Sequence, residues 1–198
     1  MADRETLQAY ADNAEDYASR FASDKPDRHL QAFIDSLPTS AQVLDLGCGP
    51  GQAAAHMKAA GLQVDAWDAS PELAAIGKEK FDLNIDLRTF DTLSSEAQYD
   101  GIHANFSLLH APRSEMPTHL GNIARALKHK GVFHLGLKTG TGERRDRLGR
   151  FYTYYSEDEL TGLLTAAGFA VLTRETGAEA GLEGSVEPWI VIKAIKDE

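Results

Sequence analysis

Residues 43–51 read Val-Leu-Asp-Leu-Gly-Cys-Gly-Pro-Gly, an apolar strand running directly into three alternating glycines, with Asp45 two positions ahead of the first. Gly47, Gly49 and Gly51 carry no side chain to hold the backbone away from a ligand, and they allow backbone angles closed to other residues. A loop of this kind wraps a nucleotide-like body. A second short strand is predicted over 63–67 and ends in Asp68, roughly 20 residues beyond the glycines, where an acid suits the two hydroxyls of a ribose.

At 198 residues the chain fits one domain with a sizeable core, and there is little room for a second. Twenty Lys and Arg against thirty Asp and Glu leave a net charge of -10. That balance repels polyphosphate and argues against nucleic acid, so small molecules are the expected ligands. The first residues, MADRETLQAY, contain no apolar signal segment, and no run approaches the roughly 18 apolar residues that span a bilayer. A cytoplasmic protein without a membrane partner is expected. The single cysteine, Cys48, excludes an internal disulfide and any Cys-based metal cluster.

After the glycine loop, the Ala-rich residues 52–60 read as a helix capped by Gly61. Ser70-Pro71-Glu72 opens another with a hydroxyl cap and a proline in the first turn, ahead of a third strand over 85–88. Residues 100–105 supply a fourth strand and 132–137 a fifth. Between them, residues 114–128 place Leu120, Ile123, Ala124 and Leu127 on one helical face. Ser156 and Glu159 form a capping-box signature for a helix ending at Gly168. Residues 169–174 and 189–195 close the chain as two strands. The pattern predicts an α/β fold: a Rossmann-like, seven-stranded, mostly parallel sheet with one antiparallel strand and helices on both faces. Its ligand site is expected where the strand order reverses, between the first and fourth strands. Residues 1–38 are read as a helical lid segment and 39–198 as the core, because Leu7, Tyr10, Ala14, Tyr17 and Phe21 recur at helical spacing.

Asp45-x-Gly47-x-Gly49-x-Gly51, Asp68 and the segment Asp100-Gly-Ile-His-Ala-Asn-Phe-Ser-Leu-Leu-His110 together resemble the class I S-adenosylmethionine-dependent methyltransferases. The resemblance covers nearly the whole chain. The nearest competitor is a nicotinamide-dependent reductase, but its usual GxGxxG places the third glycine one position later and normally comes with a separate substrate domain. A binding protein that uses the cofactor for regulation is the alternative outside enzymes. The resemblance implies S-adenosylmethionine as cofactor and transfer of a methyl group to a small-molecule acceptor. It implies that the loop from Gly47 through Cys48 and Gly49 to Gly51 contacts the amino-acid portion of the cofactor, with Asp45 on its ammonium. Asp68 would take the ribose hydroxyls, and Ala69 would lie beside the adenine. Phe90 and Asp91 occupy the turn that closes over that ring, where the usual Gly-Asp pair is replaced by Thr-Phe. Ala104 and Asn105 would lie near the methionine moiety, and Tyr10, Ala14 and Tyr17 follow the outline of a lid helix.

Methyl transfer from a sulfonium asks for alignment and dehydration more than for acid and base groups. Tyrosine rings can stabilise the reacting cation, so Tyr17 joins His110 as a candidate catalytic residue. His110 ends the fourth-strand segment, where it could take a proton or form a structural hydrogen bond. Residues 138–155 form a basic, glycine-bearing stretch ending in clustered aromatics. Lys138, Arg150, Tyr152 and Tyr154 are the candidate acceptor-binding residues there, suited to an anionic or polarised molecule, while Arg144, Arg145 and Arg147 read as solvated. His103 and His134 are expected to neighbour each other inside the sheet as core histidines. No spacing of His, Asp and Glu marks a metal site, and the chemistry needs none.

Overall fold

The glycine run follows β1 (Gln42–Leu46), whose apolar residues lie in the middle of the sheet. In the computed structural model, which describes residues 2–197, seven strands form one sheet in the order β3-β2-β1-β4-β5-β9-β8. These are β2 (Gln63–Asp68), β3 (Asp86–Leu87), β4 (Tyr99–Asn105), β5 (Leu127–Lys138), β8 (Phe169–Ala180) and β9 (Val186–Lys196) besides β1. β1 pairs in parallel with β2 and β4, and β4 with β5, while β9 runs antiparallel to both its neighbours. The order reverses between β1 and β4, as expected.

Strand alternation sorts the core into two layers. Leu44, Leu46, Ile102, Ala104, Phe133 and Leu135 pack on one face with Leu120 and Ile123 of α6 (Met116–Ala126) and Leu160 and Leu164 of α7 (Glu157–Ala166). Val43 and Val132 face the other way, against Leu30 and Phe33 of α3 (Arg28–Asp35) and Met57 of α4 (Gln52–Ala59). Predicted caps are present. The Ser70 hydroxyl accepts from Leu73 N (3.2 Å) at the start of α5 (Pro71–Phe81), and Ser156 accepts from Glu159 N (3.2 Å), each worth about 1 kcal/mol.

The last two strands are longer than expected, at Phe169–Ala180 and Val186–Lys196, the third is shorter, at Asp86–Leu87, and three further local features differ from the sequence expectation. The N-terminal helix is two, α1 (Arg4–Asp12) and α2 (Ala14–Arg20), because Asn13 turns its backbone N–H to Tyr10 O and its side chain to Ala9 O (2.8 Å). Tyr10 and Tyr17 remain together, with ring centroids 5.2 Å apart. β5 begins at Leu127, where a helix was expected to continue, and Lys130 at φ 59 takes up the resulting register shift. The basic stretch holds a hairpin of β6 (Glu143–Arg145) and β7 (Phe151–Thr153). Its turn is Asp146 to Gly149, with Gly149 N donating to Asp146 O (3.0 Å), a Asp-x-x-Gly turn pattern. Among the described residues no helix is long and apolar enough to cross a membrane.

Candidate functional site

Beyond the carboxyl ends of β1 and β4 lie two adjoining cavities, a cleft and a chamber, which share Tyr10, Tyr17, Gly47, Asn105 and Phe106. The cleft is built largely from backbone. Gly47 N and Cys48 N donate to Trp67 O (2.8 and 3.0 Å), tying the loop to the end of β2. Gly47 sits at φ 74, and a Cβ there would fall 2.4 Å from the Ser107 Cβ; one on Gly49 (φ 57) would meet the Tyr17 ring at 3.4 Å. Only glycine meets both demands without strain. Asp68 is held by two backbone donors, Gly49 N on Oδ2 and Ser70 N on Oδ1, both at 2.8 Å. Burial nevertheless raises its pKa to about 6, with those donors opposing the rise. A carboxylate fixed in this way has lone pairs left for a pair of vicinal hydroxyls. Ala69, Phe90 and Asp91 line the same cleft.

A polar row crosses the sheet beside the glycine loop. Asp45 of β1 is in register with His103 of β4, and His103 with His134 of β5. The His103 Nδ1–H donates to Asp45 Oδ1 (2.9 Å), and the two imidazoles stack at 4.5 Å and 28°. His134 Nε2–H donates to Asn105 Oδ1 (3.1 Å), which leans into the space left by Gly136. Burial pushes the His134 pKa well down, so this ring is neutral. Asp45 is 2 % exposed, and its Oδ2 has no partner among the described residues. An unpaired buried carboxylate oxygen is costly unless a cation meets it.

The chamber, of about 550 Å³, is built from side chains on distant segments. It falls within the roughly 300–1,000 Å³ of small-molecule sites. The Arg150 guanidinium, 2 % exposed, donates to Asp146 Oδ2 through Nε (2.8 Å) and Nη2 (2.6 Å). Its Nη1 reaches Tyr10 Oη at 3.3 Å. On the cleft side of Tyr10, His110 Nδ1–H donates to Phe151 O (2.7 Å), which leaves Nε2 with the lone pair that accepts from the Tyr10 hydroxyl (2.9 Å). Burial lowers the His110 pKa to about 4. Lys138 is ion-paired with Glu187 and lies 3.9 Å from the Tyr152 ring centroid.

A model of the methyltransferase domain matches residues 15–174, most of the chain. The chain belongs to the class I S-adenosylmethionine-dependent methyltransferases. An uncharacterized methyltransferase of Synechocystis sp. is 31% identical over 117 residues, 55% of this chain; the match spans 53% of that relative's length. Two solved methyltransferases share the fold. One is the 1,6-didemethyltoxoflavin-N1-methyltransferase of Burkholderia thailandensis, with a TM-score of 0.76, 23% identity and coverage of 98% of this chain and 88% of that one. The other, from Methanosarcina mazei, has a TM-score of 0.75, 18% identity and coverage of 87% and 98%.

In this methyltransferase, several residues singled out by sequence stand elsewhere than expected. Ala104 is fully buried in the α6 and α7 layer and lines neither cavity, because strand alternation turns it away from the face that carries His103 and Asn105. Gly51 lines neither; it closes the turn into α4 at φ 80, with Leu83 2.8 Å from where a Cβ would be. Tyr154 is outside the chamber and donates its hydroxyl to Glu187 (2.9 Å). The cations expected to meet an anion, Lys138 and Arg150, already have carboxylate partners. Arg145, read as solvated, binds both oxygens of Asp3 (2.8 and 2.9 Å) and so ties β6 to the start of α1. Cys48 lines the chamber with its thiol pKa raised by burial, the opposite of an activated nucleophile. Sequence reasoning missed Ser107, whose hydroxyl donates to Leu46 O (2.6 Å) under the glycine loop. It also missed His119, edge-on to Phe90 at 5.7 Å, and Glu187 and Trp189 of β9. These four depend on long-range packing; Asp146, the partner of Arg150 and also missed, left a signal in its Asp-x-x-Gly turn.

Proposed function

We propose that this methyltransferase transfers the methyl group of S-adenosylmethionine to a small-molecule acceptor, with the cofactor spanning the shared boundary of the two cavities and the acceptor in the chamber. The observation that carries this reading is Asp45 Oδ2, a buried carboxylate oxygen with no protein partner, beside a glycine cradle in which a Cβ on Gly47 would collide. Both features fit the ammonium end of the cofactor. Asp68 then receives the ribose hydroxyls, Ala69 and Phe90 flank the adenine, and Cys48, Gly49 and Asn105 border the methionine portion. When bound, S-adenosylmethionine supplies an electrophilic methyl on a sulfonium.

The chain's own contribution is alignment, exclusion of water and management of one proton. Tyr17 lies over Gly49 and, with Tyr10, roofs the boundary, so its ring faces the region where positive charge is spent. His110 is neutral at physiological pH and holds its Nε2 lone pair on the Tyr10 hydroxyl. A proton leaving the acceptor therefore passes to Tyr10 Oη as the Tyr10 proton moves to His110 Nε2. The small-molecule class is supported by the ligand-sized chamber. It is supported also by the Burkholderia thailandensis structure, whose bound molecules are 1,6-didemethyltoxoflavin and S-adenosylhomocysteine.

Calorimetric titration with S-adenosylhomocysteine and with NADH tests the cofactor assignment. Binding of the first and no heat from the second is expected. The reverse result removes the assignment. Labelled methyl transfer into a metabolite extract, followed by mass identification of the product, tests the acceptor class; label found only in macromolecules would overturn it.

A further inference from the structure

We propose that the chamber selects an uncharged, planar aromatic acceptor and disfavours anions. The inference rests on the methyltransferase reading and concerns the same site. Three observations converge on it.

First, of the cations that line the chamber, Lys138 and Arg150 are neutralised from within the protein, while Arg28 pairs with Glu175 and Lys25 lies exposed to solvent. Lys138 has Glu187 on its ammonium and the Tyr152 ring beneath it. Arg150 spends two N–H groups on Asp146 and a third on Tyr10, in a pair whose side chains are only 2% and 4% exposed. An anion reaching Lys138 or Arg150 finds each already paired and comes to rest beside Glu187, a like charge. Separating either buried pair to free a cation leaves a carboxylate stranded, which costs more than the new contact returns.

Second, the His134 imidazole in the chamber wall carries no charge that could attract an anion, because burial holds it neutral. The buried carboxylate oxygen left without a partner among the described residues is Asp45 Oδ2, which the cofactor's ammonium satisfies.

Third, the walls are rings. His103 and His134 form a flat stacked pair, and Tyr17, Tyr152 and Trp189 supply further faces and edges around the same space. His29 meets Trp189 edge-on at 5.7 Å. Faces and edges of this kind favour offset stacking with a flat guest. The Trp189 indole N–H, buried and without a partner among the described residues, adds a neutral hydrogen-bond donor on β9. A neutral carbonyl or ring nitrogen satisfies such a donor without bringing charge.

The test uses a matched pair of probes, quinoline-4-carboxamide and quinoline-4-carboxylate, with cyclohexanecarboxamide as the non-aromatic control. Each is titrated into the protein saturated with S-adenosylhomocysteine, followed by calorimetry. The carboxamide is expected to bind about 10-fold or more tightly than the carboxylate, and the cyclohexane compound more weakly than the quinoline amide. Glu187→Gln, which releases Lys138, should narrow or reverse the preference by strengthening carboxylate binding, with homocysteine-analogue affinity retained. Equal or tighter binding of the carboxylate to the wild-type protein overturns the proposal, as does failure of the quinoline amide to bind. Failure of S-adenosylhomocysteine itself to bind is a different result, since it defeats the cofactor assignment on which the proposal stands.

Discussion

The cleft and the chamber share a boundary but are made in opposite ways. The cleft is held by backbone donors and glycines within a short span: Gly47, Cys48 and Gly49 fastened to Trp67 and Asp68. The chamber is held by side chains far apart in sequence, with Tyr10 on Arg150 and Lys138 on Glu187. A local motif can be carried intact from one protein to another, because each part of it is positioned by its neighbours. A chamber of long-range side-chain pairs changes with any one of them. Constancy toward one ligand and variety toward the other follow from that difference in construction.

The largest expected effect breaks the chamber alone. Arg150→Ala strands the Asp146 carboxylate in a buried site, and unfolding free energy should fall by about 3–5 kcal/mol. A denaturant titration reads this directly, and a loss below about 1 kcal/mol would show that the hairpin does not depend on the pair. The matching change in the cleft is Gly47→Ala. The added Cβ collides with Ser107 in a left-handed backbone, costing about 2–3 kcal/mol and weakening S-adenosylhomocysteine roughly 30- to 100-fold. Calorimetry that finds unchanged affinity would mean the loop is not the cradle.

A smaller effect comes from Asp68, whose raised pKa makes two pH responses run in opposite directions. If the Asp68 carboxylate holds the ribose, as proposed, S-adenosylhomocysteine affinity should fall as pH drops through about 6. The unliganded protein binds this proton more readily than the unfolded chain, with its ordinary carboxylate value of 3.8. Its contribution to stability should therefore rise as pH falls from about 6 toward that value. In Asp68→Asn both responses should vanish, with about 2 kcal/mol of binding lost throughout. An inflection near pH 6 that persists in the variant would assign it to another group. The smallest effect is that of Tyr10→Phe, which removes one hydroxyl from between His110 and Arg150. Turnover should drop about 5- to 10-fold, corresponding to roughly 1 kcal/mol, with cofactor affinity nearly unchanged.

The contrast between the two regions also explains what could be read from the sequence. Strand periodicity, the glycine loop, Asp68 and the serine caps act on residues a few positions away, and each was legible. The His103–His134 neighbourhood was legible as well, because parallel β4 and β5 bring them into register. Ala104 and Gly51 were misplaced for lack of a face assignment, which the sheet supplies only when its neighbours are known. The partners of Lys138, Arg145 and Arg150 were not legible. Glu187 approaches from the last strand and Asp3 from the first helix. Asp146 lay only four residues from Arg150, but pairing there depended on recognising the turn between them.

The tie between α1 and the β6–β7 hairpin bears on timing. Asp3 on Arg145, Thr6 on Phe151 N (2.8 Å) and Tyr10 on Arg150 lie along one short helix and its N-cap, and Leu7 and Tyr10 of that helix border the cleft. If spent cofactor leaves the cleft past α1, those three attachments must release first, and its residence time would be set by this helix. The outermost attachment is a partly exposed ion pair, with Glu5 adding a second carboxylate at 3.2 Å, and dissolved salt weakens such pairs. Departure of S-adenosylhomocysteine should therefore quicken with ionic strength in a rapid-mixing measurement. The enzyme's turnover clock would then be governed by a latch some way from the reacting atoms.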